Sequence, residues 1–253
     1  MEELNCWEFL KDTCEVWCIN LVTRPDRLEN VKKQFKKIGI LHLVQFHITE
    51  KYQGDVIQKG CWDSHRYCLE KAYNNNKNIL IFEDDACFID KWFESYENIK
   101  KYYVENNWDI LRLGAVVFKY DKEINDNLWC GDLSASHALF INNRYIKKCL
   151  NDPNFFPEKY KTHGVDEYYR FECEKDYIIV PPIAYQDSLT TDNIWYKNYT
   201  IWQKIWQHKY LYKYNQYLLN LFSWILRNRN DKIKRLNIYT LLFDLEFYFY
   251  QKK

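Results

Sequence analysis

Hydrophobic and polar positions over the first two thirds of the chain alternate between two rhythms. Val16-Trp17-Cys18-Ile19-Asn20-Leu21 is a short apolar run that predicts a strand, and it ends in a polar loop carrying Arg24, Pro25, Asp26 and Arg27. The spacing then widens. Leu28, Val31, Phe35 and Ile38 recur at helical intervals as far as Gly39, a residue type that readily closes a helix. Leu43 to Ile48 predicts a second strand, and Ser64 to Tyr73 a second helix with Ser64 as its N-cap. Ile79-Leu80-Ile81-Phe82 is the continuous apolar run expected of a central parallel strand, buried on both faces. Lys91 to Val104 predicts a helix, and Ile110 to Leu113 and Ala138 to Ile141 predict strands. Strands alternating with helices imply an α/β sheet covered on both sides.

After about Trp195 the strand rhythm stops. Residues 201–226 and 233–249 carry helical stripes, for example Ile238, Leu241, Leu242, Leu245 and Phe249, on either side of a basic turn with Arg227, Arg229, Lys232, Lys234 and Arg235. The chain therefore divides into an α/β domain over residues 1–195 and a helical extension over 196–253. Three uses of the extension stay open: packing on the core, a homodimer contact, or a lean against a membrane surface.

Composition narrows the function classes. A chain of 253 residues buries one core with a small appendage, and 47% hydrophobic residues exclude a disordered chain. A net charge of +1 argues against a general electrostatic hold on nucleic acid. The nine cysteines show no paired CxxC spacing of a zinc site, which favours reduced thiols. Met1-Glu2-Glu3 has the wrong charge for a secretory leader. The uncharged stretch Tyr214 to Leu226 is shorter than the ~20 residues that span a bilayer, so a soluble intracellular protein without a transmembrane segment is expected.

The sharpest chemistry follows the third strand at once: Glu83-Asp84-Asp85. Ligands of open α/β sheets bind beyond the carboxyl ends of the strands. Three adjacent carboxylates repel one another unless a divalent cation neutralises them, and hard oxygen donors suit Mg²⁺ or Mn²⁺ with a substrate phosphate completing the shell. The plainer alternative is a solvated acidic turn. On an extended segment Glu83 and Asp85 point to one side and Asp84 to the other.

Three ordered stretches carry a resemblance. Asn20-Leu21 with Arg24-Pro25-Asp26-Arg27, then Gly60-Cys61-Trp62-Asp63-Ser64-His65, then Phe82-Glu83-Asp84-Asp85-Ala86 resemble the signatures of glycosyltransferase family 25. That family includes lipopolysaccharide galactosyltransferases and procollagen hydroxylysine galactosyltransferases. The pattern continues through Ser136 to Ile141 and Val165-Asp166-Glu167-Tyr168 to Pro181-Pro182 and Gln186, covering roughly residues 14–195. The resemblance implies a GT-A nucleotide-binding sandwich, a UDP-sugar donor, Mn²⁺, and inversion at the anomeric carbon to give a β-linkage. It implies Asn20, Leu21, Arg24 and Arg27 at the nucleotide pocket, and Gly60, Ser64 and His65 opening the helix that faces the donor. Glu83, Asp84 and Asp85 stand in the place of the family's DxD element. Glu rather than Asp at the first position leaves open whether Glu83 meets the metal or a ribose hydroxyl. The implied acceptor is either a glycan or a hydroxylysine of a collagen-like protein. The Asn-, Lys- and Tyr-rich composition resembles that of large DNA viruses or AT-rich microbes, and for a viral copy a collagen-like virion protein would be the target.

An inverting transfer needs a base on the face opposite the departing nucleotide. Asp166 is the first candidate and Glu167 the second, with Asp166 as the N-cap of its helix the structural alternative. His163 and His137 are weaker, and Asp187 and Asp192 would close the site or add a metal ligand. Gly60 is expected to permit a turn, Ser64 to donate to an anion, and His65 either to meet the donor or to satisfy the core. Two rival functions remain: a metal-dependent nucleotidyl or phosphoryl transferase, against which the missing Walker-type loop counts, and a non-catalytic glycan- or nucleotide-binding module.

Overall fold

The computed structural model describes residues 6–54, 56, 58–125, 127–155 and 164–186. The first elements follow the hydrophobic rhythm: β1 (Cys14–Leu21), α1 (Pro25–Lys37), β2 (Val44–Thr49), α2 (Lys59–Asn74) and β3 (Asn78–Glu83). Then come β4 (Ala86–Phe88), α3 (Tyr96–Glu105), β5 (Ile110–Arg112), β6 (Val116–Asn125), β7 (Leu128–Ser134) and β8 (Ala138–Ile141). The described part closes with α4 (Asn143–Asn151), α5 (Val165–Glu172), β9 (Asp176–Ile179) and β10 (Ala184–Gln186).

Eight strands form one sheet in the order β2-β1-β3-β8-β5-β9-β7-β6, and β4 pairs with β10 in a separate two-stranded ribbon. β1 lies between β2 and β3 and runs parallel to both, with Cys18 opposite Phe46 and Phe82. The sheet is mixed, because β8 is inserted antiparallel between β3 and β5. β3 is thus central as expected, but parallel only to β1 and antiparallel to β8. A continuous apolar run reports burial on both faces and carries no information on strand direction. The insertion has a second effect. Ala138 pairs with Phe82, and the Glu83 amide donates to the His137 carbonyl at 3.1 Å, so the bend between β7 and β8 lies at the carboxyl end of β3.

Alternation along β1 and β3 feeds two cores. Val16, Cys18, Leu80 and Phe82 pack with Val31 and Phe35 of α1 and Ile99 and Tyr103 of α3. Trp17, Ile79 and Ile81 pack on the other side with Trp62 and Leu69 of α2, Ile146 of α4 and Tyr168 and Tyr169 of α5. Both faces are therefore covered, as the rhythm predicts. Each such side chain contributes about 1.5–3 kcal/mol on burial.

Helix starts are where the prediction slips. α2 begins at Lys59, flanked by Gln58 with no side-chain cap, so Ser64 lies in its second turn rather than at its N-cap. The start was hidden because its first turn offers no capping residue and no apolar stripe. The predicted Lys91–Val104 helix splits into a 3₁₀ turn at Trp92–Ser95 and α3, the Ser95 hydroxyl donating to the Pro181 carbonyl at 2.8 Å. The two helices predicted over 201–249, and the domain division at 195/196, lie outside the described residues. No helix among the described residues is long and apolar enough to cross a membrane.

Candidate active site

The three carboxylates after β3 take three different surroundings. Asp84 turns toward β1 and α1: its Oδ2 accepts from Asn20 Nδ2 at 2.6 Å and from the Leu21 amide at 3.5 Å, and its Oδ1 from Arg27 at 2.8 Å. Asn20 is buried, and its amide also reaches the Arg24 carbonyl at 3.4 Å. Asn20, Leu21 and Arg27, three of the residues expected at a nucleotide pocket, thus converge on one carboxylate. Arg24 points elsewhere, forking onto Asp26 at 3.0 and 2.8 Å, which holds the Asp26 carboxyl down to about 2.

Glu83 stays on the opposite side, as alternation requires, and faces α2. Its Oε1 lies 3.4 Å from His65 Nε2 and accepts from the Ser136 hydroxyl. Burial raises this carboxyl, but His65 and Ser136 outweigh it and hold Glu83 below its ordinary value. Asp85 has the least support. Its Oδ2 accepts from Gln186 of β10 at 2.8 Å, while Oδ1 is buried without a hydrogen bond among the described residues. Burial first, and then the charge of Glu83, push the Asp85 carboxyl up to about 8. An orphaned, buried oxygen in a region of excess negative charge is the donor that fits a hard divalent cation.

α2 presents more than the predicted residues. His65 is fully buried, with Nδ1 held 3.3 Å from the Tyr169 hydroxyl. Cys61, one turn earlier, brings its thiol to the same place, and Cys61 Sγ, a His65 ring nitrogen and a Glu83 oxygen all lie within 4.8 Å of one another. Cys61 is exposed as a residue, but desolvation of its sulfur, then the charges of Glu83 and Asp166, hold this thiol above its ordinary value. Gly60 and Ser64 have structural work instead. A Cβ on Gly60 would come 3.0 Å from Tyr52 Cβ, so the glycine admits Tyr52 rather than making a turn. The Ser64 hydroxyl donates to the Gly60 carbonyl at 2.8 Å within the helix and is buried, which takes it away from any anion.

The bend Ser134-Ala135-Ser136-His137 joins the two sides. Ser134 donates to Asp166 Oδ2 at 2.8 Å, while Ser136 holds Glu83. Ala135 between them has φ 79°, a left-handed conformation unusual for a residue with a Cβ, and Arg112 donates to its carbonyl. Asp166 lies in the first turn of α5, whose N-cap is Gly164; the cap reading of Asp166 is thereby corrected. Its Oδ1 folds back so closely that a Cβ on Gly164 would come within 2.4 Å of it. Glu167 pairs instead with Arg170 at 3.3 Å, and Arg170 is also bound to Asp132 at 2.6 Å. His137 is buried against Gly114, and burial lowers its pKa to about 4, so it is a neutral imidazole. His163, Asp187 and Asp192 lie outside the described residues.

Carboxylates, a histidine and a thiol are thus gathered beyond the carboxyl ends of β1 and β3. Residues 14–131 match the family model of glycosyltransferase family 25 (LPS biosynthesis protein). No curated protein matches the chain. The family 25 segment runs from β1 into β7 and holds Asn20, Arg27, Cys61, His65 and Glu83–Asp85, and it points to glycosyl transfer. It stops short of Ser134, Ser136, Asp166 and Gln186, which the fold brings to the same edge. The sequence pattern assigns no role to Cys61, Ser134 or Arg112. Of these, only Cys61 carried a local signal, standing four residues before His65 on one helical face.

Proposed function

We propose that this chain is a GT-A-type, metal-dependent inverting glycosyltransferase. It moves a hexose, galactose or glucose, from a UDP-sugar to a hydroxyl of a glycan or of hydroxylysine, forming a β-linkage. The observation that carries the reading, beside the family 25 match, is Asp85. It is a buried carboxylate with one oxygen unbound among the described residues and a pKa raised to about 8, at the strand end where nucleotide ligands of α/β sheets bind. Mn²⁺ or Mg²⁺, held by Asp85 with Glu83 and Asp84 as its neighbours, would supply charge neutralisation for the diphosphate of departing UDP.

The remaining work falls to side chains of the chain itself. Asn20, the Leu21 amide and Arg27 fix Asp84 and so hold the acidic turn in place. Arg27 adds positive charge on the side where a diphosphate would lie. As the acceptor oxygen bonds to the anomeric carbon and the bond to UDP breaks on the opposite face, the acceptor proton passes to Asp166 Oδ1. The partner oxygen Oδ2 is occupied by Ser134 and fixes the carboxylate's orientation.

The test is UDP-sugar turnover with Mn²⁺, with and without chelator. Asp85→Ala is expected to lose metal-dependent UDP binding and transfer while the circular dichroism spectrum stays unchanged; full activity in that variant rejects the reading. Asp166→Asn is expected to keep UDP binding and lose about 10²–10⁴-fold in turnover. Unchanged turnover moves the base elsewhere. Products carrying a transferred nucleotide instead of a sugar would favour a nucleotidyl transferase.

A further inference from the structure

The cluster on the α2 side of Glu83 has a different chemistry from the all-oxygen acidic turn. Cys61 and His65 stand four residues apart on one face of α2, and Glu83 meets them from the end of β3. His65 Nε2 is buried and makes no hydrogen bond among the described residues, although Glu83 Oε1 is only 3.4 Å away. That separation is long for a hydrogen bond, whose usual range ends near about 3.2 Å. It equals the donor–donor edge of a tetrahedral zinc site, because bonds of about 2.0–2.2 Å at a tetrahedral angle place two light donors about 3.4 Å apart. The corresponding edges to a thiolate are about 3.6 Å, inside the 4.8 Å that encloses all three donors.

We propose that Cys61, His65 and Glu83 bind one soft divalent ion of the zinc class, with the fourth position open to water. Thiolate and carboxylate together carry two negative charges, and a neutral imidazole adds none, so a divalent ion leaves the cluster, in which His65 is buried and Cys61 is exposed, neutral. The outer supports are in place. Tyr169 holds His65 Nδ1, which turns Nε2 toward the ion, and Ser136 orients the Glu83 carboxylate. A thiolate and an imidazole select zinc over the manganese or magnesium suited to Asp85, which lies on the Gln186 side of the turn. The site is independent of which group the protein transfers, and its test does not read activity.

The full-length chain, stripped with a chelator, is titrated with Co²⁺ as a spectroscopic substitute and with Zn²⁺ in competition. The expected result is one Co²⁺ per chain, with a near-ultraviolet thiolate-to-cobalt band that Zn²⁺ abolishes. Cys61→Ser is expected to lose that band and at least about tenfold in affinity. Cys68→Ser, which removes a buried thiol of the same helix, and Asp85→Asn are expected to keep both. Absence of the band in the unaltered chain, or its survival in Cys61→Ser, overturns the proposal. Should Cys61→Ser fail to fold, alkylation of the unaltered chain decides. Saturating Zn²⁺ is expected to protect Cys61 from iodoacetamide by peptide mass mapping, and undiminished labelling of Cys61 overturns the site.

Discussion

Two buried aspartates, about equally hidden, live by opposite rules. Asp176 at the start of β9 is 8% exposed, and Asp85 after β3 is 7% exposed. Burial raises the carboxyl of each. At Asp176 the fully buried Arg112 opposes that cost with a two-pronged grip, Nε to Oδ1 at 2.8 Å and Nη2 to Oδ2 at 2.7 Å. At Asp85 the charge of Glu83 adds to the cost, and among the described residues Gln186 donates to it while the charge of Arg27 offsets part of that cost. The first carboxylate is complete in the folded chain. The second has no such paired cation among the described residues, so a proton or a bound cation would stabilise it, and this contrast separates architecture from site more sharply than burial does.

The largest way to break the comparison is to strand Asp176. Arg112→Met is expected to destabilise by about 3–5 kcal/mol, since one partner of a buried pair is left uncompensated. Thermal unfolding measures it. Arg112→Met combined with Asp176→Leu is expected to recover most of that loss, and a double variant as unstable as the single one would show that the pair is not the source.

Asp85 should respond with the opposite sign. Its carboxyl is raised in the folded state, so the folded chain keeps a proton that the unfolded chain has already released. Stability is therefore lost as pH climbs from the ordinary carboxylate range through about 8. In chelator, Asp85→Asn is expected to stabilise by about 2 kcal/mol at pH 8–9, a rise of about 4–8 °C in midpoint. The gain should shrink to nothing below about pH 3, where the aspartate is protonated in both states. A loss of stability at pH 8–9 would mean that the negative charge is already balanced.

The smallest effect is expected at Ala135. With φ 79° it carries left-handed strain, so Ala135→Gly should stabilise by about 1 kcal/mol in urea denaturation. The strained residue sits between two that hold candidate catalytic carboxylates, so the same change should also slow turnover by loosening the bend.

Much of the frame was readable in the residues. The run Ile79–Phe82 announced a buried strand, and strict alternation already sent Glu83 and Asp84 to opposite sides, which their partners Ser136 and Asn20 bear out. Asp85, expected on Glu83's side, instead meets Gln186, because the strand ends at Glu83 and Asp84-Asp85 form a turn. What stayed hidden depended on contacts across long stretches of chain. Nothing local to Ser136 indicates that an antiparallel β8 will be slotted in beside β3, and without that insertion Ser136 has no reason to meet Glu83. Gln186 belonged to the resemblance without a role, because its role exists only once β10 returns along β4. Gly60 and Ser64 were misread for the complementary reason. Their types suit a turn and a cap, but the helix had already begun at Lys59.

The bend at residues 134–137 leaves the two halves of the reaction centre mechanically geared. One serine holds Asp166 and the next but one holds Glu83, so a tilt of that short arm displaces both carboxylates together. Inserting a single residue there would uncouple them, and lineages that alter the arm would have to retune both ends at once.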